Sequence, residues 1–243
     1  MLLKVIDVLI SGKERYMGIA ENLESVKKRI EQACERANRE PSSVTLVAIA
    51  KGHPPEAVNE AASLGVRIFG ENKVQEAKSK IPLCVSGITW HMVGHLQTNK
   101  AKDAVELFDM IHSVDSLKLA QELNKRAEKI EKKIPVLIEV NISGETSKFG
   151  YFPELLIGEI QSISALSYLE VQGLMTMAPF TDNPEDTRPV FRKLRDLKSR
   201  CEGIVNRPLP HLSMGMSNDF EIAIEEGATL VRIGTAIFGE RKG

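Results

Sequence analysis

VTLVAIAKGHPPEAV, residues 44–58, runs through seven uncharged and mostly apolar residues to a lysine, then stops at once on Gly52, His53 and two prolines. A strand that apolar is buried on both faces, as in a parallel sheet covered by helices. Pro54 and Pro55 fit the first turn of a helix, where a missing N–H costs little. The stretch reads as strand, turn and helix, with the amine of Lys51 at the carboxyl end of the strand. An amine in that place either pairs with a carboxylate, such as Glu71 on the neighbouring strand, or does chemistry.

The same alternation continues along the chain. Apolar, β-branched runs lie near 44–50, 67–71, 88–93, 110–114, 135–142, 169–177, 210–216 and 229–233. Helical spacing lies between them, as in Leu117, Ala120, Leu123, Ala127, Ile130 and in Val190, Leu194, Leu197, Cys201. Asn183-Pro184-Glu185 supplies a start signal for the second of these. Ahead of the first strand, Ile19, Leu23, Val26, Ile30, Cys34 and Ala37 mark one more amphipathic helix. Eight strand–helix units in 243 residues predict an α/β fold, a single (β/α)8 TIM barrel with an extra N-terminal helix. An open, doubly wound sheet is the alternative. No low-complexity linker divides the chain, so the barrel is placed at residues 17–243, with 1–16 as an N-terminal extension.

Composition narrows the function. Hydrophobic content of 42% and charged content of 27% are ordinary for a globular protein. A net charge of −1 without long single-sign runs argues against a nucleic-acid partner. No apolar run is long enough to span a bilayer, and Lys4 and Asp7 interrupt the opening residues, so neither membrane anchor nor signal peptide is expected. Cys34, Cys84 and Cys201 are scattered and odd in number, which predicts reduced, mostly buried thiols in a cytoplasmic protein. The surface helices show no large apolar patch, and a monomer is expected.

In a barrel the chemistry sits where strands end and helices begin. There burial lowers the pKa of a lysine and frees its lone pair to attack a carbonyl. The junctions after the seventh and eighth strands carry Ser213-Met214-Gly215-Met216-Ser217-Asn218 and Arg232-Ile233-Gly234-Thr235-Ala236. Barrels commonly bind phosphate at these two junctions. Gly215 and Gly234 would let backbone amides approach an anion, and Ser217 and Thr235 would add hydroxyl donors. Tight turns with capping hydroxyls are the duller reading. Amine and phosphate site together suit a phosphorylated aldehyde such as pyridoxal phosphate. Arg232 is placed to meet its ring nitrogen, and Met216 to touch the ring. An arginine there leaves the ring nitrogen unprotonated and the ring a weak electron sink. A barrel-mouth salt bridge is the other reading of Arg232.

VAIAK, FGENKVQE, WHMVGHLQTNK, EVNISGETSKFG, GLMTMAP and SMGMSNDFEIAIEEGATLVRIGTAIFG together resemble the pyridoxal phosphate homeostasis proteins over about residues 19–240. The resemblance implies a barrel similar to the N-terminal domain of alanine racemase. It implies cofactor on Lys51, its phosphate on Ser217, Gly234 and Thr235, Arg232 at the ring nitrogen and Asn72 in contact with the ring. It also implies a carrier or regulator of pyridoxal phosphate, acting on amino-acid and keto-acid balance, with PLP-dependent enzymes as recipients and no dedicated reaction. The sequence departs from the family where Ala50 and Gly52 flank the lysine, replacing a hydroxyl residue and a threonine, and where His53 follows.

The remaining candidates are weaker. His91 and His95 would share a face only on a helix, and Trp90 to Val93 reads as a strand, so no metal site is expected. Lys148 faces the rim in a solvated loop, where it could hold or hand over a second cofactor molecule. Glu221 to Glu226 reads as a solvated face. An amino-acid racemase would need a second acid–base group, a tyrosine of a further β domain in alanine racemase. Tyr16, Tyr151 and Tyr168 stand in no matching context, and such a domain is not expected after Gly243. No catalytic residue is therefore assigned. A Schiff-base aldolase acting on a sugar phosphate would use a lysine without cofactor.

Overall fold

The computed structural model describes residues 18–145 and 148–240. The expected extension, 1–16, and Met17 lie outside them, as does Tyr16. From Gly18 the chain forms α1 (Ile19–Arg36), β1 (Thr45–Ile49), α2 (Pro55–Ser63), β2 (Ile68–Glu71), α3 (Val74–Lys80) and β3 (Thr89–Met92). It continues through α4 (Ala101–Leu107), β4 (Met110–Val114), α5 (Leu117–Glu128), β5 (Ile134–Glu139) and α6 (Pro153–Ser164). The last elements are β6 (Leu169–Met175), α7 (Arg188–Val205), β7 (His211–Ser213), α8 (Phe220–Glu225), β8 (Leu230–Ile233) and α9 (Thr235–Phe238).

The eight strands are parallel and close in sequence order. Closure is made by β1 against β8, with Thr45 opposite Leu230 and Val47 opposite Arg232. That pairing excludes the open sheet. All eight expected strands are present; β1 and β3 end one residue early, and the strands expected to reach 142, 177 and 216 end at Glu139, Met175 and Ser213.

Strand parity divides the core in two. Val47, Val93, Met110, Leu137, Met175 and Leu230 fill the barrel interior, with Ile49, Ile68 and Met177 against them. Alternate residues such as Ala48, Phe69, Trp90, Ile111, Val136 and Ile138 pack outward on the helices. Phe69 and Trp90 meet there with ring centroids 5.6 Å apart.

α9 has four residues and cannot cover the seam where the barrel closes. The extra helix α1 covers it, packing on α8, α9 and α2. Its apolar stripe, Ile19, Leu23, Val26, Ile30, Ala33 and Cys34, is buried. Asn22 Nδ2 donates to Ile237 O at 3.1 Å.

The acids of α8 are not the solvated face their spacing suggested. Glu221 pairs with Arg29 and Glu225 with Arg36, each at 2.7 Å, which ties α8 to α1. Glu226 is buried and takes Arg188, Arg192 and Arg195 from α7 at 3.3, 2.9 and 3.0 Å. A helix of six residues needs such partners on both sides, because its own ladder is too short to hold it. Asn183 caps a short 3-10 turn, Pro184–Thr187, and α7 proper begins at Arg188.

Candidate functional site

Parity aims Val47, Ile49 and Lys51 to one side of β1, the inside, and Lys51 is the first of them beyond the ladder. It lies half-buried on the wall of a cavity of about 320 Å³ at the carboxyl ends of the strands. Asn72, Met216, Ser217, Arg232, Gly234 and Thr235 line the same cavity, so the seven expected site residues converge. Ile49, Val93, Met177, Phe180 and Asn218 complete its wall. A second cavity of about 390 Å³ adjoins it on the β2–β3 side, sharing Lys51 and Asn72 and lined also by Lys73, Gln75, His95, Gln97 and Lys100.

Glu71 is not the partner of Lys51. On β2 the inward parity belongs to Ile68, Gly70 and Asn72, so Glu71 points outward, fully buried, to Lys80 of α3. Burial pushes the Glu71 carboxyl above its usual range against the pull of Lys80. Gly52 takes φ +74°, a left-handed turn that a side chain would strain, and its N–H donates to Glu76 Oε1 at 2.6 Å. The glycine after Lys51 is thus set by the turn.

Arg232 is 4% exposed at the floor of the cavity. Among the described residues it forms no salt bridge. One Nη donates to Ser213 Oγ at 2.6 Å and the other to Thr176 O at 2.9 Å. Burial lowers its pKa to about 10, while the nearby charges of Asp219 and Glu139 oppose the fall. A guanidinium has five N–H donors, so these two bonds leave others for a ligand atom.

Behind Arg232 runs a hydrogen-bonded chain that the sequence reading missed. Ser213 Oγ meets His112 Nδ1 at 2.9 Å, and His112 Nε2 meets His91 Nδ1 at 2.9 Å. Burial lowers both imidazole pKa values, that of His91 to about 4, so both rings are neutral near pH 7. With Arg232 donating to Ser213, a consistent polarity has Ser213 O–H donating to His112 and His112 Nε2–H donating to His91. Glu139, also inward on β5, is buried with Oε2 unpaired. Burial first, then the charge of Asp115, raises its pKa to about 7. Two-residue parity was the signal available: His91, His112, Glu139 and Ser213 each fall on the inward register of their strand.

At the opposite wall, Ser217 Oγ accepts from Ala236 N at 3.3 Å, joining the two junction loops. Asp219 Oδ1 accepts from Met216 N at 2.6 Å and fixes the turn that presents Met216 and Ser217. Gly215 is required by this turn. It has φ +89°, and a Cβ there would lie 2.6 Å from Ala223 Cβ and 2.8 Å from Phe220 Cα. Met214 and Met175 are core, whereas Met216 and Met177 face the cavity.

The other candidates lie elsewhere. His91 faces His112 in the barrel, while His95 pairs with Asp115 at 3.1 Å and stacks on Phe149 at the rim. Lys148 pairs with Glu145 at 2.8 Å. Tyr151 is buried and donates to Glu159 at 2.8 Å. Cys34, Cys84 and Cys201 are free thiols, the first and last buried. Among the described residues, no helix is long and apolar enough to cross a membrane.

Residues 22–242 match the family model for the alanine racemase N-terminal domain. The pyridoxal phosphate homeostasis protein of Aquifex aeolicus is 48% identical over 227 residues, covering 93% of this chain and 100% of its own. That of Pseudomonas aeruginosa is 42% identical over 92% of this chain and 96% of its own. PipY of Synechococcus elongatus, solved with PLP bound, superposes with a TM-score of 0.81 at 38% identity, covering 91% of this chain and 100% of PipY. Alanine racemase from Corynebacterium glutamicum shares the fold, with a TM-score of 0.73 at 18% identity over 93% of this chain and 62% of that enzyme.

Proposed function

This chain belongs to the pyridoxal phosphate homeostasis proteins of the alanine racemase N-terminal-domain family, and on that premise we propose that it holds pyridoxal 5'-phosphate as a Schiff base on Lys51. Its role is cofactor homeostasis, and through it amino-acid and keto-acid balance, rather than a dedicated reaction. The observation that carries this reading is the convergence of one strand-end amine, one buried arginine and two loop hydroxyls on a single cavity of about 320 Å³. Sites for small cofactors start at about this size.

When bound, the cofactor supplies an aldehyde that condenses with an amine and a ring that can withdraw electrons. The residues do the rest. Lys51 offers the amine. Ser217, Thr235 and the backbone at Gly234 would hold the phosphate. Arg232, firmly protonated near neutral pH at a pKa of about 10, would donate to the ring nitrogen and keep a proton off it. That leaves the ring a weak electron sink, which suits storage better than turnover. Asn72 and Met216, which line the same cavity as Lys51, would contact the ring.

Neither alternative gains support. Tyr151, one of the two described tyrosines, donates its hydroxyl to Glu159 and lines neither mouth cavity, so it offers no second acid–base group for a racemase. An aldolase would leave the Arg232 chain without a purpose. We place the protein in the cytoplasm as a monomer that passes cofactor to PLP-dependent enzymes. Titrating the cofactor-free protein with pyridoxal phosphate tests the core of the proposal: a Schiff-base absorption band should saturate at one equivalent and be absent in Lys51→Ala. A band that survives Lys51→Ala would count against it.

A further inference from the structure

The peptide units on either side of Lys51 are held from outside the barrel by a cluster of charges, of which Glu71 and Lys80 are buried and Glu76 is partly exposed. Lys80, 6% exposed, donates from Nζ to the Ala50 carbonyl at 2.7 Å. The same ammonium donates to Glu71 and, at 2.8 Å, to Glu76 Oε1. Glu76 Oε1 in turn accepts from the Gly52 N–H at 2.6 Å. One cation therefore grips the carbonyl just before Lys51, and through one carboxylate it grips the amide just after it. None of these three side chains lines either mouth cavity.

On the reading that Lys51 carries the cofactor, we propose that Lys80 and Glu76 are positioning residues for Lys51, clamping its backbone so that its amine is presented to the cavity at one depth and angle. A surface lysine needs no such device. Ala50 and Gly52 lack the hydrogen-bonding side chains that could fix the loop from within. His53, two residues on, rests its ring 4.9 Å from that of Phe238 in α9. The loop is thereby fixed from the α3 side by charge and from the α9 side by packing. A clamp on both flanks lowers the entropic cost of holding the amine in its reacting position.

The isolated Lys80→Met change would strand Glu71 in the barrel wall, so the test uses Lys80→Met/Glu71→Gln together with Glu76→Ala and Glu76→Gln. Glu76→Gln keeps an oxygen acceptor for Gly52 N–H, and Glu76→Ala does not. Three quantities are read: the rate of pyridoxal phosphate loss on dilution, the pH midpoint of the Schiff-base band, and the melting temperature of the cofactor-free protein. Glu76→Ala and the double variant should lose cofactor about five- to tenfold faster, the size of one or two backbone hydrogen bonds, and shift the pH midpoint. Glu76→Gln should restore most of the retention, while the cofactor-free melting temperatures stay within a few degrees. If the double variant does not fold, the two Glu76 variants decide. Retention and pH midpoint equal to wild type would overturn the proposal. So would a loss of retention that follows the melting temperature through the set and is not rescued by Glu76→Gln. Wild type without a Lys51 adduct would instead sink the cofactor reading, so the two failures are told apart.

Discussion

Single side chains inside the barrel set the chemistry and also a pH dependence. Glu139 has a pKa of about 7 in the folded protein against 4.5 for an exposed glutamate. Its carboxyl stays protonated in the native state while the unfolded chain ionises, so stability is lost as pH rises from about 4.5 to about 7 and is then level. Glu139→Gln should therefore stabilise the protein at pH 8 by up to about 3 kcal/mol, with no gain below pH 4.5, in urea unfolding at the two pH values. An equal gain at both would show that the carboxyl is not neutral when folded. His91 works the other way. With a folded pKa of about 4, it costs stability as pH falls from about 6.5 to 4, because only the unfolded chain takes up the proton. Lys51 and Arg232 were legible because each stands at or near the carboxyl end of an apolar strand, where a charge has no structural reason to be. His112 and Glu139 were not. A polar residue within a strand reads as solvent-facing until the barrel closes and parity turns it inward.

The elements were legible where a rule of spacing applies and opaque where partners come from far along the chain. Steps of three and four placed α1, α5 and α7, and β-branched runs placed the eight strands. Nothing local showed that the acids of α8 are shared with α1 and α7, since Arg29 and Glu221 lie 192 residues apart. Glu226 is nearly buried but its arginines are not, so the network is worth less than a fully buried pair. Glu226→Gln should cost about 2 kcal/mol in urea denaturation, and the loss should shrink in high salt. A salt-independent loss would mean that packing, not charge, is at stake. Ser116 caps α5 by accepting from Leu119 N at 3.3 Å, and Ser116→Ala should cost about 1 kcal/mol by the same method.

For the molecule as a whole, the proposed cofactor site spans the seam where the barrel closes. Lys51 follows β1, Arg232 is the penultimate residue of β8, and α1 covers the join from outside. A ligand bound across that seam stabilises the native state alone, by about 2.7 kcal/mol at a hundredfold excess over Kd. In a chain of this size that raises Tm by about 5–10 °C, which Lys51→Ala should largely abolish in thermal scans with pyridoxal phosphate. The barrel could be read from the sequence, and so could the end of it that holds the site. The clamp behind Lys51 could not, since it depends on α3 laying Lys80 beneath a carbonyl 30 residues upstream. The most direct test of the account is borohydride reduction of the protein loaded with one equivalent of pyridoxal phosphate, followed by peptide mass mapping. A single phosphopyridoxyl adduct on Lys51 is the predicted result, and adducts spread over Lys73, Lys100 and the outer helices, with Lys51 unmodified, would contradict it.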